Sequence, residues 1–522
     1  MPPHPPLVRH PKSTQGLDGL RTVEPDWPMT DVCCDPYAHN RPIYKAFAVR
    51  AVLGLILTLA ALCMPVRAEL PDLGDSVSGM VSTEQEYDIG RAWLRSLRRQ
   101  LPVLDDPLIQ DYVRDLAYRL VPNSELTDRR LQIVIIDSSA LNAFAVPGGI
   151  IGVNGGLFLN AHTEEEFASV LAHEIAHLSQ RHFARRMERA QRNQPLALAG
   201  MLASIVVAAA AGGDVGMAAL ATTQAYNIQQ QLNYSRENEQ EADRIGLTTL
   251  ARSGMDPRAM AAMFERMMRN NRYGQQVPEY LRTHPLNESR VADARNRAET
   301  YPRQSSREDI EYYFMKNRLL VHYAESADAA RHRFEDMIKQ EKGLQKSAAR
   351  YGLAIAAIKA GRFAEAESAL KPLLEEYPNR ISVLLAQAEL LSGQGQHEES
   401  EALLAKHYSR NPGNQALGRA YAQSLVKLGR DHAAEPVLQQ LLQTYDNDPS
   451  LWRALAEVQG RLGNIAAVHQ AQAEYLFLTD DIDGAIAQLH HTIKRSQGNF
   501  RLSALAEKRL QDFHSAKEGI RF

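Results

Sequence analysis

Four glycines in the C-terminal part of the chain recur at a fixed interval. Gly361, Gly395, Gly429 and Gly463 follow one another at steps of 34 residues, and apolar residues keep a helical spacing almost throughout residues 309–522. A repeat of this length accommodates a pair of short helices, and each pair buries its apolar face by stacking on the next pair. The period therefore predicts an all-α array for this part of the chain, with a generic helical bundle as the alternative.

Other residue types keep the same period. Pro378 and Pro412 are again 34 residues apart, and Pro449 follows with a slip of three residues. Small residues occupy matching positions in the second helix of each pair, where the helices must approach closely: Ala366, Ser400 and Ala434. Glycine in the turn, a small residue in the second helix and proline at the end resemble the tetratricopeptide repeat. The resemblance implies a concave surface that binds a partner. A further turn at 480–489 is out of phase with the period.

The first 68 residues are typical of an export signal. The apolar run "VLGLILTLAALCM" (52–64) follows a basic flank and precedes the small residue Ala68, which is the order found in a secretory signal peptide. As a helix the run would span about 20 Å, less than the roughly 30 Å hydrocarbon core of a membrane. We therefore expect residues 1–68 to comprise a signal peptide and a non-native N-terminal extension, with Met29 as an alternative start, and the mature chain to lie in the periplasm. A buried N-terminal helix is the alternative.

A capped helix carries two histidines and a glutamate at metal-binding spacing. In "HTEEEF" Thr163 takes the N-cap position and Glu166 follows three residues later, a capping box that predicts the start of a helix. His173 and His177 are one turn apart, so both imidazoles project from the same side. Glu174 stands between them, where it could act as a general base and acid beside a metal. This is the H-E-x-x-H pattern of zinc proteases; surface histidines on an ordinary helix are the alternative.

Two histidines do not complete such a site, and the third ligand is expected on a second helix. The segment "YSRENEQEADRIGL" (234–247) holds three glutamates and an aspartate. Glu239 and Asp243 share a face, so Glu239 could bind zinc while Asp243 accepts the remaining N–H of a ligand histidine. Geometry alone equally permits Glu237 with Glu241, and a solvated acidic helix is the remaining alternative.

H-E-x-x-H followed by "EQEAD" (239–243) resembles the HtpX and CAAX prenyl protease class of zinc metallopeptidases, the minigluzincins. The resemblance implies an α+β, mostly helical fold, with a minigluzincin metallopeptidase domain at 69–305 and an all-α tetratricopeptide-repeat solenoid at 309–522. It also implies one Zn²⁺ per chain. The site residues it assigns are the ligands His173, His177 and Glu239 and the catalytic groups Glu174 and Asp243.

Two further segments match the same class. "NAFAVPGG" (142–149) matches its edge strand, to which substrate backbone is thought to pair by strand addition; the strand residues are Asn142, Ala143, Phe144 and Ala145. His284, in "LRTHPLNESR", matches a histidine that can take the fourth zinc position and hold the enzyme off, with a loop histidine as the alternative. His182 lies nine residues after His173, on the opposite face of a continuous helix. We therefore expect His182 to be structural or exposed.

An apolar, alanine-rich segment at 195–221 separates the two ligand helices. Its apolar run is short and is broken at Gly212 and Gly213, so it is not expected to span a membrane. A hairpin beside the cleft, acting as a lid or making a peripheral membrane contact, is the interpretation we favour. Core packing is the alternative.

Two functions remain for the whole chain. The export signal, the metal motif and the repeats together resemble periplasmic proteases that act on unfolded or misassembled outer-membrane proteins. This implies a zinc endopeptidase with a chaperone-like role, which docks on the outer-membrane β-barrel assembly machinery through its repeats. The alternative is a non-proteolytic repeat scaffold with a silent or structural zinc site. The formal net charge is −3, so no basic surface argues for nucleic acid as a partner.

Overall fold

A computed structural model describes residues 81–193, 235–273, 277–304, 309–496 and 498–518, which all belong to one compact unit from Pro71 to Phe522. The expected signal peptide and the apolar segment 195–221 lie outside the described residues, so both remain predictions. Most of the described chain is helical, with one small sheet, and the α+β, mostly helical architecture is confirmed. No helix among the described residues is long and apolar enough to cross a membrane.

The N-terminal region, residues 81–304, contains nine of the described helices and the sheet. These helices are α1 (Thr83–Gln100), α2 (Pro107–Leu120), α3 (Gly156–Asn160), α4 (Glu164–Ser179), α5 (His182–Asn193), α6 (Arg236–Arg252), α7 (Arg258–Tyr273), α8 (Glu279–Thr283) and α9 (Glu288–Ala298), with a 3₁₀ turn at Val121–Asn123. The helix α4, which carries the H-E-x-x-H pattern, is buried along nearly its whole length. It therefore runs through the core of this region rather than over its surface.

The sheet has three short strands: β1 (Gln132–Ile136), β2 (Ala143–Val146) and β3 (Ile150–Asn154), in the order β1-β3-β2. β1 pairs with β3 in parallel and β2 pairs with β3 in antiparallel orientation. Gly152 of β3 faces Phe144 of β2, and a Cβ at Gly152 would lie only 2.1 Å from the Phe144 ring. Only glycine fits beneath the Phe144 ring. This close contact between β2 and β3 helps to hold β2 at one edge of the sheet, next to α4.

The repeat region, residues 309–518, consists of helices joined by short turns. They are α10 (Ile310–His322), α11 (Ala327–Gln340), α12 (Gly343–Lys359), α13 (Phe363–Glu376), α14 (Ile381–Gly393), α15 (His397–Tyr408), α16 (Gln415–Lys427), α17 (Asp431–Leu442), α18 (Pro449–Arg461), α19 (Ile465–Leu478), α20 (Ile482–Arg495) and α21 (Phe500–Glu518). Most successive helices of this region pack against one another and bury apolar residues between them. The predicted solenoid is confirmed.

The glycine period has a backbone cause. Gly361, Gly395, Gly429 and Gly463 have φ values of 72°, 84°, 70° and 77°, and each lies in the turn between the two helices of a pair. Residues other than glycine rarely adopt this left-handed conformation. The next turn in the array, between α19 and α20, places Asp480 at φ 68° instead, so the chain loses the glycine period there while keeping the turn.

The helix α10 joins the two regions through aromatic packing. The Phe158 ring lies 4.3 Å from that of Phe167 and 5.8 Å from that of Tyr312, measured between centroids. The Tyr312 hydroxyl donates to the Ala161 carbonyl at 3.0 Å. Two residues further along α10, Phe314 stacks on Tyr351 of the repeats at 4.4 Å. One apolar core therefore continues from the sheet into the repeats.

Candidate metal centre

The start of α4 is fixed by its N-cap. The Thr163 side chain accepts a hydrogen bond from the Glu166 backbone N–H, as a capping box requires. The Glu166 carboxylate, however, accepts from the backbone N–H of His162 at 2.6 Å, not from that of Thr163, and it pairs with Arg266 at 2.7 Å. The predicted helix start is correct, but the reciprocal half of the capping box is shifted by one residue.

Four buried side chains converge at the centre of the N-terminal region. Ligand atoms of His173, His177, Glu239 and His284 all lie within 4.8 Å of one another. The Nε2 atoms of His173 and His177 are 2.9 Å apart, and the Glu239 carboxylate lies 3.4 Å from His177 Nε2 and 3.6 Å from His173 Nε2. Nitrogen and carboxylate oxygen donors in this number are those that zinc takes in proteases. The donor set therefore fits a zinc ion.

The packing of α6 against α4 selects Glu239 from the acidic segment. Gly246 of α6 lies so close to α4 that a Cβ there would be 3.1 Å from the Ala172 backbone. This contact turns Glu239 inward, where it is 1% exposed, while Glu237 is exposed. Glu241 reaches His182 and Arg185 rather than the cluster. The pair Glu237 and Glu241, which the sequence left open, is not brought to the cluster.

Asp243 lies behind the candidate ligand His173. Its Oδ1 is 3.0 Å from His173 Nδ1, and its two oxygens accept from the Arg290 guanidinium at 2.7 and 2.8 Å. Burial opposes a charge on His173, but the carboxylates of Asp243 and Glu239 outweigh it and raise the His173 pKa to about 10. Burial also opposes ionisation of Asp243, and Arg290 with His173 lowers its pKa nevertheless. Asp243, held by Arg290, therefore places a carboxylate beside the His173 ring on the side away from the cluster.

Glu174 is fully buried beside the cluster. Burial raises its pKa, and His284, His173 and the backbone amide of Ala145 oppose that rise. The amide of Ala145 belongs to β2, so the base candidate lies against the edge strand. Of the other strand residues, Asn142 precedes β2, and Ala143 and Phe144 are buried in it.

His284 is brought to the cluster by the end of α8. It is the C-cap residue of that helix and is 1% exposed. Its Nδ1 lies 3.1 Å from Glu239 Oε1 and 3.3 Å from His173 Nε2, while its Nε2 lies 3.6 Å from Glu174 Oε1. The structure thus places His284 between Glu239 and Glu174, not in an exposed loop.

His182 is not on the opposite face of α4, as a continuous helix would require. The helix α4 ends at Ser179, and Arg181 adopts φ 48° before α5 begins at His182. After this turn His182 is fully buried, with its Nδ1 2.7 Å from His177 Nδ1. The placement on the opposite face is wrong, because it assumed a helix that continues past Ser179. Of the two expectations for His182, structural or exposed, its burial excludes the second.

Two residues of the site were missed by the sequence argument. Arg290 also approaches Glu239, with Nη1 2.8 Å from Oε2. The Tyr280 ring stacks on His284 at 4.6 Å, and its hydroxyl is buried without a hydrogen-bond partner among the described residues. Tyr280 precedes His284 by one helical turn, and that spacing was the available signal. The sequence signal for Arg290 was weaker: it is a cation in the first helical turn after the N-cap residue Asn287.

A buried H-E-x-x-H helix with a glutamate from a second helix defines a metallopeptidase. Residues 107–298 match the model of peptidase family M48, and residues 323–390 and 391–458 match that of the tetratricopeptide repeat. The chain is a metalloendopeptidase whose cluster fits a zinc site. It belongs to the family of beta-barrel assembly-enhancing proteases.

Three relatives show how far the similarity extends. The putative beta-barrel assembly-enhancing protease of Vibrio cholerae is 36% identical over 448 residues, which are 85% of this chain and 92% of the relative. The beta-barrel assembly-enhancing protease of Escherichia coli K12 is 36% identical over 80% of this chain and 86% of its own. The human mitochondrial metalloendopeptidase OMA1 is 30% identical over 43% of each chain.

Proposed function

We propose that this chain is a zinc-dependent endopeptidase of the periplasm. In this proposal it degrades misassembled outer-membrane proteins and has a chaperone-like role in the assembly of others. The observation that carries the proposal is the convergence of His173, His177 and Glu239 beside the buried Glu174. The relatives named beta-barrel assembly-enhancing proteases support the outer-membrane context.

Each residue has a distinct role in the proposed reaction. His173, His177 and Glu239 hold the zinc ion, which when bound activates water and polarises the peptide carbonyl. Glu174 takes a proton from the attacking water and passes it to the leaving amine. Its raised pKa suits the first transfer, because it makes the carboxylate a stronger base, and the leaving amine is basic enough to take the proton back. Asp243, with its carboxylate 3.0 Å from His173 Nδ1, would orient that ring so that Nε2 faces the metal.

The edge strand β2 is the proposed binding site for substrate backbone. A cleft beside it is lined by Ala145, Val146, Gly148 and His177. A peptide that adds to β2 as a further strand would receive its backbone hydrogen bonds from the sheet, with little dependence on its side chains. Since the Ala145 amide lies next to Glu174, the bound backbone would pass the base and the metal ligands.

His284 is the proposed inhibitory fourth ligand. With His173, His177 and Glu239 it completes a set of four, which leaves no position for water. Withdrawal of His284 would open that position. Tyr280, stacked on His284, would have to move with it.

A second candidate is the repeat scaffold with a silent metal site. The position of His284 favours it, because a closed four-ligand site is typical of structural zinc. A cavity of about 660 Å³ between α2, β1 and the repeats also offers room for a partner. In either candidate the repeats are the proposed docking site for the outer-membrane β-barrel assembly machinery.

Replacement of the base separates the two candidates. The variant Glu174→Gln keeps the size of the side chain but cannot accept a proton. We expect it to bind one zinc ion per chain and to lose cleavage of an unfolded outer-membrane protein by at least about 100-fold, the usual contribution of such a base. Zinc content is measured by metal analysis and cleavage by gel electrophoresis.

The matched control is Glu237→Gln, an exposed position on α6. It should change neither zinc content nor cleavage. If Glu174→Gln cleaves as fast as the unmodified chain, the catalytic assignment is wrong. If the unmodified chain binds zinc but neither it nor His284→Ala cleaves, the scaffold is the better account.

A further inference from the structure

We propose that His182 is a positioning residue for the metal ligand His177, acting in a hydrogen-bonded chain that ends on Glu241 and Arg185. Its Nδ1 lies 2.7 Å from His177 Nδ1, and its Nε2 lies 3.0 Å from Glu241 Oε2. The same Glu241 oxygen accepts from Arg185 Nη2 at 2.5 Å. The inference rests on the metal site proposed above and adds to it the residues that orient one of its ligands.

The proton positions in the hydrogen-bonded series His177–His182–Glu241 follow from the groups at its two ends. His177 directs Nε2 at the cluster, so this nitrogen must carry a lone pair to bind a metal, and its Nδ1 then carries the proton. That proton is donated to His182 Nδ1, which leaves the His182 proton on Nε2. Glu241 accepts it there, as an acceptor-only carboxylate does. Each donor therefore meets an acceptor, and the His177 ring cannot rotate without breaking the chain.

The turn after α4 places His182 beside His177. Arg181 is one of the two non-glycine residues with positive φ among those described, a conformation that costs about 1–2 kcal/mol. Its side chain is held by Glu86 at 3.0 Å and by the Val81 carbonyl at 2.6 Å. These contacts, one from α1 and one from the residue before its N-cap, stabilise the turn after which α5 begins at His182.

The two ligand histidines are thus supported in parallel ways. His173 has the carboxylate of Asp243 3.0 Å behind its Nδ1, and Arg290 holds that carboxylate. His177 is linked through His182 to the carboxylate of Glu241, which precedes Asp243 by two residues on α6. Partners of this kind fix the orientation and tautomer of a ligand, and their loss typically costs about 10–100-fold in metal affinity. We expect a cost in that range when His182 can no longer accept from His177.

Two amide substitutions of His182 distinguish a hydrogen-bonding role toward His177 from simple filling of the space between the helices. In His182→Asn the amide oxygen stands near the former Nδ1 and can still accept from His177. In His182→Gln the longer side chain fills the pocket better but places its amide near the former Nε2. The affinity for Zn²⁺ is measured by competition with a chromophoric chelator, and His322→Gln, an exposed histidine paired with Asp137, is the control.

If His182 positions His177, His182→Gln should weaken zinc binding by about 10–100-fold. His182→Asn should bind zinc nearly as tightly as the unmodified protein. The absorption spectrum of the Co²⁺-substituted protein should change in the same order, because it reports ligand geometry. Equal affinities for the two variants, or a better Gln variant, would overturn the proposal.

If neither variant folds, Glu241→Met tests the other end of this hydrogen-bonded series, because methionine has a similar length but offers His182 Nε2 no oxygen acceptor. Its zinc affinity should fall, and an unchanged value would overturn the proposal. The reference is Glu239→Gln, which removes a ligand. If the unmodified chain and Glu239→Gln bind zinc equally, the metal site itself is wrongly assigned; if they differ while the His182 variants do not, only the positioning role fails.

Discussion

At the scale of single residues, the metal centre is a balance of buried charges. Arg290 contacts both Glu239 and Asp243, and the three side chains are 3%, 1% and 4% exposed. Such a group is stable only when every charge has a partner, since an unpaired buried ion costs several kcal/mol. Arg290 therefore allows two carboxylates to remain ionised within a core that also holds three imidazoles.

The role of His284 is tested by its removal. His284→Ala takes away the fourth donor and opens the space in front of Glu174. If His284 holds the site closed, basal cleavage of an unfolded substrate rises by roughly 10-fold or more, equivalent to about 1.4 kcal/mol. Initial rates are compared at equal zinc occupancy, with His322→Ala as the control. Equal or slower cleavage by the variant would contradict the role.

Helical spacing indicated the ligand types, and only the resemblance of "EQEAD" to a known class of metallopeptidase chose Glu239 from the acidic segment. His173, Glu174 and His177 follow from helical spacing alone. The choice of Glu239 over Glu237 depends on Gly246 against Ala172, and helical periodicity is the same for both pairs. His182 was misplaced because the end of α4 is set by a turn at Arg181 that interacts with Glu86, about 95 residues earlier in the chain.

At the scale of elements, the repeat region was the most predictable part of the molecule. Its turns require glycine for a local reason, positive φ, and its contacts run mainly between consecutive helices. Because these requirements are local, they produce a period in the sequence, and the helical repeats can be predicted from that period alone. The sheet is the opposite case, because the position of β2 at its edge depends on pairing with β3 and on the Phe144–Gly152 contact.

The turn glycines can be tested by a matched pair. A Cβ at Gly395 or at Gly413 would meet nothing within 4 Å, but only Gly395 has positive φ. Gly395→Ala should therefore lower the free energy of unfolding by about 1 kcal/mol, from backbone strain alone. Gly413→Ala should be neutral or slightly stabilising, because alanine restricts the unfolded chain. Urea unfolding followed by circular dichroism measures both, and equal effects would contradict the explanation of the period.

At the scale of the whole molecule, the repeats pack back onto the N-terminal region. Arg98 donates to the Asn447 carbonyl at 2.7 Å, and Arg419 pairs with Asp105 at 2.6 Å. These partners are more than 300 residues apart in sequence. A repeat pattern describes how helices stack on their neighbours but contains no information on such contacts, so the sequence could not predict this packing.

Asp480 is a buried carboxyl at the junction between α1 and the repeats. It is 4% exposed, and neither of its carboxylate oxygens has a hydrogen-bond partner among the described residues. Burial raises its pKa from 3.8 to about 6, although Arg95 and Arg99 oppose the rise. The folded chain therefore binds this proton more tightly than the unfolded chain does. Ionisation of Asp480 should destabilise the fold as the pH rises from about 4 to 6, and the cost should persist above pH 6.

The variant Asp480→Asn removes that cost and keeps a residue that tolerates positive φ. Its melting temperature should exceed that of the unmodified chain by about 1–3 °C at pH 8, and the difference should vanish near pH 4. Thermal unfolding across this range measures it, with Asp483→Asn, an exposed carboxylate paired with Lys517, as the control. A difference that is independent of pH would mean that hydrogen bonding, and not the buried charge, accounts for the effect. A lower melting temperature at pH 8 would mean that Arg95 and Arg99 stabilise the ionised carboxylate by more than its burial costs, so that the charge holds the repeats to α1.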